Sequence, residues 1–271
     1  MNLESPTSNL VIVNKMNLEG KLALVTGGST GIGKAVALKL GQEGAQVAIC
    51  GRSRETLDKT AAGLRTVGVT VTQFPCDVSV LRQVEEMVQA LTAVSGRIDI
   101  LVNNAGALED TPLDPPNDEG WRKVLQTNLD GVYFVTSRVV HHMPDGGRIV
   151  NISSVLGKIG VPGAGAYCAS KHGLIGLTRA TSLELASRKI TANAICPGWV
   201  DTDLAELVMN RTAAKLGVSY EEFRRGALAK VPLGEMIRPE EIASLVHFLI
   251  GPDGGNITGQ SYNLCGGQVM H

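Results

Sequence analysis

The amino-acid sequence predicts an α/β domain built on an open parallel sheet, and three observations carry the prediction. A short apolar run, KLALVT, leads into a glycine-rich turn, GGSTGIG, and then into a helical pattern, KAVALKLGQEG, that ends near Gly44. IDILV, at positions 98–102, reads as a strand buried on both faces, the signature of a parallel sheet. Strand-like and helix-like segments then keep alternating through RIVNIS, ITANAICPG and SYNLCGG.

The chain has 271 residues, 44% of them hydrophobic and 19% charged, which suits one sizeable core and argues against disorder. A formal net charge of −1, without a Lys/Arg cluster, argues against nucleic acid as a partner. No apolar run approaches the eighteen or so residues needed to span a bilayer, and MNLESPTSNL lacks the features of a signal peptide, so the reading is cytoplasmic. The five cysteines are odd in number and widely spread, with no metal-ligand spacing, so no metal is expected and most should be reduced and buried. Cys168 stands apart because it follows Tyr167 directly.

Residues 1 to about 18 are polar and aperiodic and read as a mobile extension, with Met-Asn-Leu-Glu at Met1 and again at Met16, a second potential start site. The glycine turn after the first strand holds Gly27, Gly31 and Gly33, which let a ligand's phosphates approach a helix N-terminus. The second strand, QVAIC, ends at Cys50. An acid expected there for the ribose hydroxyls of NAD is missing, and Arg52 stands in its place. A guanidinium matches a 2′-phosphate, so the cofactor predicted is NADP(H) with Arg52 as its main contact; the alternative is a solvated arginine at a helix start.

After a helix over about Arg54–Val67, the strand TVTQFPCDV brings Asp77 to a position where it either accepts from the adenine amino group or caps the next helix, near Val80. Asn103 and Asn104 follow IDILV and should tie the strand end to neighbouring loops, with Gly106 leaving room for the cofactor. Asn117 looks like a helix start, and one helix is expected to carry Trp121, Val124, Leu125, Leu129, Val132 and Tyr133. Asn128 interrupts that apolar face. If buried, it needs a partner, for which a water-mediated link towards Lys171 is the candidate.

The strand RIVNIS ends at Ser154, and a helix is expected over about Tyr167–Ser187. Tyr167 and Lys171 are i, i+4 neighbours on it, so the ammonium should lower the phenol's pKa from about 10 and make Tyr167 a general acid/base, with Ser154 holding a substrate oxygen against it. Taken alone, Tyr-x-x-x-Lys is more often a surface pair. Pro197 and Gly198 end the strand ITANAICPG, and Val200 to Thr202 follow at the ligand-binding edge of the sheet. The stretch from about 203 to 231 has apolar residues without a strand pattern and reads as a helical lid over a substrate pocket, or else as a surface for another subunit. Pro239 opens a final helix through Ile250.

TGGSTGIG at Thr26–Gly33, NNAG at Asn103–Gly106, Asn128, Ser154, Tyr167-x-x-x-Lys171 and Pro197–Gly198 together resemble the short-chain dehydrogenase/reductase family from about Leu18 onward. The resemblance implies a single doubly wound (Rossmann) domain over 19–271, with Tyr167 as acid/base, Ser154 orienting the carbonyl, Lys171 on the nicotinamide ribose and Asn128 holding a relay water. It further implies cofactor contacts from Gly27, Ser29, Thr30, Gly31, Ile32, Gly33, Arg52, Asp77, Val78, Asn104, Ala105, Gly106, Tyr167, Lys171, Pro197, Gly198, Val200 and Thr202. A homotetramer is implied as well, with the helices near Asn117–Met143 and Tyr167–Ser187 on one axis and the final strand near another.

AYCASKHGLIGLT, NAICPGWVDT, VPLGEMIRPEEIA and NITGQSYNLCGG are most similar to ketoreductases acting on β-ketoacyl thioesters, especially those of aromatic polyketide pathways. Such polyketide enzymes often carry Pro-Gly-Gly after NNAG, where this chain has Ala107, Leu108, Glu109 and Asp110. The expected function is NADPH-dependent reduction of a ketone, free or carrier-bound, to a secondary alcohol, with Arg211, Lys215, Arg224 and Arg225 as candidate contacts for a carrier. Oxidation of a small or cyclic secondary alcohol is the other enzymatic reading. A non-catalytic NADP sensor is the third, and the intact Ser154, Tyr167 and Lys171 argue against it.

Overall fold

The computed structural model describes residues 18–271. Within it, β1 (Leu22–Thr26) sends Ala23 and Val25 to one face and Leu22 and Leu24 to the other, and all four are buried. Period-2 alternation with apolar residues on both sides demands helices on both sides, and they follow. The chain continues through α1 (Gly31–Gln42), β2 (Gln46–Gly51), α2 (Arg54–Thr66), β3 (Val71–Pro75), α3 (Leu81–Ser95) and β4 (Ile100–Asn103). Next come α4 (Asp118–Leu125), α5 (Gly131–Val139), β5 (Arg148–Ile152), α6 (Gly165–Glu184) and β6 (Thr191–Pro197). The last elements are α7 (Asp203–Leu216), α8 (Tyr220–Leu228), α9 (Pro239–Ile250) and β7 (Ser261–Leu264).

All seven strands are parallel, in the order β3-β2-β1-β4-β5-β6-β7, which is a doubly wound, Rossmann-type sheet. One core lies under α1, α2 and α9, around Val36, Leu40, Leu57, Leu64, Ile242 and Leu249. The other lies under α3 and α5, around Val84, Val88, Leu91, Val135 and Val139. The order in which strands are added to the sheet reverses between β1 and β4, and the crevice this opens at their carboxyl ends is where a ligand can enter an open sheet.

Several expected boundaries shift. Leu18, placed at the end of an extension, is buried in the first core and donates its N–H to Glu43 O at 2.8 Å. The remainder of that expected extension lies outside the described residues. The helix carrying Tyr167 begins two residues earlier, at Gly165, and ends at Glu184, a short 3₁₀ turn at Ala186–Arg188 following it. The single helix expected after Asn117 is interrupted: between α4 and α5, Gln126–Asp130 forms a π turn in which Gly131 N–H donates to Gln126 O. Asn117 caps α4 by accepting from Gly120 N at 2.9 Å.

Candidate active site

One cavity of about 1100 Å³ runs along the carboxyl ends of the strands. Gly27, Ser29, Thr30, Gly31, Ile32, Arg52, Asp77 and Val78 line one end. Asn104, Ala105, Gly106, Ser154, Tyr167 and Lys171 line its middle, together with Pro197, Gly198, Val200 and Thr202. Of the residues expected to form a site, the cavity leaves out two, Gly33 and Asn128.

The glycine turn is held against β4 by side chains. Thr26 Oγ1 accepts from the N–H groups of Asn104 and Ala105, and Asn104 Nδ2 donates to Thr26 O and Gly27 O, both at 3.0 Å. Gly27 has φ +62°, and a Cβ there would stand 2.9 Å from Ala105 Cα. Gly33 is excluded from the cavity for a packing reason, since a Cβ on it would reach 2.2 Å from Gly27 O and 2.5 Å from Asn104 Nδ2. It lets α1 close on the turn rather than touching a ligand. The first turn of α1 has no acidic residue and no side-chain cap, so its free N–H groups and positive dipole end remain open to an anion.

Arg52 follows β2, lines the cavity, is exposed and has no carboxylate partner among the described residues. A glycine turn braced against β4, an uncapped helix start and a free guanidinium one strand away fit a dinucleotide carrying a 2′-phosphate. Asp77 caps no helix. Its Oδ1 accepts from Ser79 N at 3.0 Å and Ser79 Oγ at 2.7 Å, while α3 starts after Val80 without a side-chain cap.

Tyr167 and Lys171 sit one turn apart on α6, Lys171 buried and Tyr167 partly buried, and Ser154 lines the same stretch of the cavity, its Oγ accepting from Leu156 N at 3.1 Å. Lys171 Nζ donates to Ile152 O at 2.8 Å and lies 5.6 Å from the centre of the Tyr167 ring. The expectation that Lys171 lowers the phenol's pKa is corrected here. Burial pushes Tyr167 up to about 12, outweighing the downward pull of the Ser154 hydroxyl, and the same burial draws Lys171 down to about 8. Two groups sharing one dry site each resist charging, so the resting phenol carries its proton.

Asn128 stands behind the cavity, fully buried at the π turn. Its Oδ1 accepts from Ala107 N at 2.7 Å, and its Nδ2 donates to Ala107 O at 2.9 Å and Ser170 Oγ at 3.1 Å. Its side chain therefore has direct partners in Ala107 and Ser170. Through them it fixes the segment after NNAG against the Tyr167 helix.

The stretch 203–231 forms α7 and α8, and Leu204, Val208, Thr212, Leu216 and Phe223 from it line the cavity. Two of the four cations proposed for a carrier are neutralised. Arg211 Nε is 3.3 Å from Asp110 Oδ2, and Lys215 Nζ pairs with the same carboxylate. Arg224 and Arg225 are exposed. Trp199, Ile159 and Gln268 also line the cavity and had not been singled out. Gln268 belongs to a tail without periodicity; its Oε1 is buried and hydrogen-bonds to nothing among the described residues. All five cysteines are free, and Cys168 is only partly buried.

A sequence model of the short chain dehydrogenase family matches residues 21–212. A crystal structure of a single-site variant of actinorhodin polyketide ketoreductase with NADPH superposes with a TM-score of 0.88 at 43% identity, covering 92% of this chain and 97% of that one. The 3-oxoacyl-[acyl-carrier-protein] reductase FabG of Thermotoga maritima is 39% identical over 94% of this chain and 100% of its own length. D-beta-hydroxybutyrate dehydrogenase of Cupriavidus necator is 35% identical over 93% of this chain and 99% of its own.

Proposed function

The chain belongs to the short-chain dehydrogenase family, and from that premise we propose that it is an NADPH-dependent ketoreductase, converting the ketone of a β-ketoacyl thioester or polyketide-like substrate to a secondary alcohol. The observation that carries this reading is the single cavity joining the glycine turn and Arg52 at one end to Ser154, Tyr167 and Lys171 in the middle.

Gly27, Ser29, Thr30, Gly31, Ile32, Asn104, Ala105 and Gly106 would hold the dinucleotide, with Arg52 on its 2′-phosphate. The cofactor supplies the hydride. Ser154 donates a hydrogen bond to the substrate oxygen and holds it beside the phenol. Burial keeps Tyr167 protonated, which is the form a developing alkoxide needs: the Tyr167 Oη–H bond breaks as the alcohol O–H bond forms. Lys171, an ammonium below about pH 8, lies close enough to stabilise the phenolate left behind. Asn128 keeps the Ala107 segment and the Tyr167 helix in register. The hydroxybutyrate dehydrogenase relative illustrates the opposite direction, in which the tyrosine would accept the proton rather than donate it.

The same reading takes residues from Leu18 onward as one domain and α7–α8 as its substrate lid. It places the protein in the cytoplasm; no helix among the described residues is long and apolar enough to cross a membrane. A homotetramer is supported by large apolar side chains exposed on the helices expected at one axis, Trp121, Tyr133 and Leu183, and by β7 at the sheet edge. Gel filtration should give four times the chain mass, and a monomer would contradict the assembly. The functional test is NADPH oxidation with an acetoacetyl thioester, a decalone and a small diketone, each repeated with NADH. Turnover of the thioester or the bicyclic ketone with preference for NADPH is expected. Inert ketones, or preference for NADH, would overturn the reading.

A further inference from the structure

Beside the cavity, the segment after NNAG meets α7 through a cluster of charges. Asp110 Oδ2 pairs with Arg211 Nε at 3.3 Å and with Lys215 Nζ, while Glu109 takes Lys123 of α4 at 2.5 Å and lies 3.9 Å from Arg211. Asp110, Arg211 and Lys215 all line the cavity. The next residue, Thr111, is buried and bonded to the start of the Tyr167 helix: its N–H donates to Gly163 O at 2.7 Å, and its Oγ1 accepts from Ala166 N at 3.0 Å. Asp110 O in turn accepts from Asn117 Nδ2, the cap of α4, at 2.7 Å. Two adjacent residues thus connect α7, α4 and α6.

The apolar attachment of α7 is thin. Its buried residues are Ala205, Met209 and Ala213, while Leu204, Leu207 and Leu216 are more than half exposed. Met209 is the one large side chain α7 buries fully, worth about 1.5–3 kcal/mol, and the paired charges, partly exposed and worth about 0–1 kcal/mol each, add a second attachment near the C-terminal end of the helix.

We propose that Asp110 is a positioning residue that clasps α7 over the substrate cavity through Arg211 and Lys215 and, through Thr111, sets that wall relative to Tyr167. The clasp also pairs both cations with Asp110, so Arg211 and Lys215 offer the cavity no unpaired charge, which suits an uncharged ketone body. This deepens the ketoreductase reading and rests on it for the kinetic test alone.

The experiment compares wild type with Asp110→Asn, which removes the charge at nearly constant shape, and Asp110→Glu, which keeps it. With a decalone and NADPH, Asp110→Asn should raise KM about fivefold, the equivalent of about 1 kcal/mol, while kcat falls by a smaller factor and the NADPH Kd stays within twofold. Asp110→Glu should recover most of the loss, and 1 M NaCl should move the wild-type KM towards that of Asp110→Asn because partly exposed pairs are screened. Hydrogen exchange of the ligand-free protein supplies a readout independent of activity: amides of 203–216 should exchange at least fivefold faster in Asp110→Asn than in wild type. Unchanged exchange there, an unchanged KM, or an Asp110→Glu variant as impaired as Asp110→Asn would overturn the clasp. If wild type reduces no ketone, the functional reading fails, and the exchange experiment still decides the clasp.

Discussion

Replacing Arg52 with alanine should convert a strong cofactor preference into a weak one. The guanidinium lies at the end of β2, exposed and without a carboxylate partner among the described residues, so its charge is available to a ligand. Two unit charges 4 Å apart interact by about 1 kcal/mol in water and about 4 kcal/mol at an effective dielectric of 20. Exposure places Arg52 nearer the first figure, while the roughly doubled charge of a phosphate raises it, so about 2 kcal/mol is the working value. That corresponds to a loss of about 30-fold in kcat/KM for NADPH, with NADH changing less than about threefold. Initial rates with both cofactors on one ketone measure this directly. A fall of less than about threefold with NADPH, or an equal fall with NADH, would refute Arg52 as the phosphate contact and leave it a solvated residue at the start of α2.

Three further perturbations test the frame around the chemistry. Asn128→Leu removes the partners of Ala107 N–H, Ala107 C=O and Ser170, and should cost about 3 kcal/mol, a fall of roughly 6–12 °C in Tm by calorimetry; a change under about 2 °C would mean these bonds are easily replaced. Gly33→Ala puts a Cβ 2.2 Å from Gly27 O, so the glycine turn must move, and fluorescence titration should show at least a tenfold weaker NADPH affinity, whereas an unchanged affinity would separate the turn from the cofactor. Lys171 has a folded pKa of about 8 against about 10.5 unfolded, so between those values the unfolded chain binds more protons and stability rises with pH. Urea unfolding should show that rise, up to about 3 kcal/mol, in wild type but not in Lys171→Met, while reduction slows above pH 8 as the ammonium is lost; parallel curves for the two proteins would contradict a buried, depressed Lys171.

The strands were legible because their apolar runs are short, punctuated by glycine or proline, and buried on both faces, as β1 and β6 are. Helix starts were legible where chemistry marks them, at Asn117 and Pro239. The break at Asn128 was not, because a π turn adds one residue to an otherwise helical pattern and leaves the apolar face nearly intact. Motif spacing placed Tyr167, Lys171 and Ser154 in one neighbourhood, but the direction of the Tyr167 shift was misread. An i, i+4 argument sees the cation, not the burial that both groups share. Glu109 and Asp110 read as a departure from a pattern; the partners of Asp110 lie about a hundred residues away on α7, and a one-dimensional pattern does not report that pairing. Gln268 carried no signal at all, being a polar residue in an aperiodic tail.

In the proposed reaction Tyr167 transfers a proton in a site that binds NADPH without it. Tyr167→Phe is to be assayed for ketone-dependent NADPH oxidation and titrated with NADPH in parallel. The expected result is a fall in kcat of about 10²- to 10⁴-fold with the NADPH Kd within about threefold of wild type. Turnover above a tenth of the wild-type rate, or loss of NADPH binding together with turnover, would contradict it.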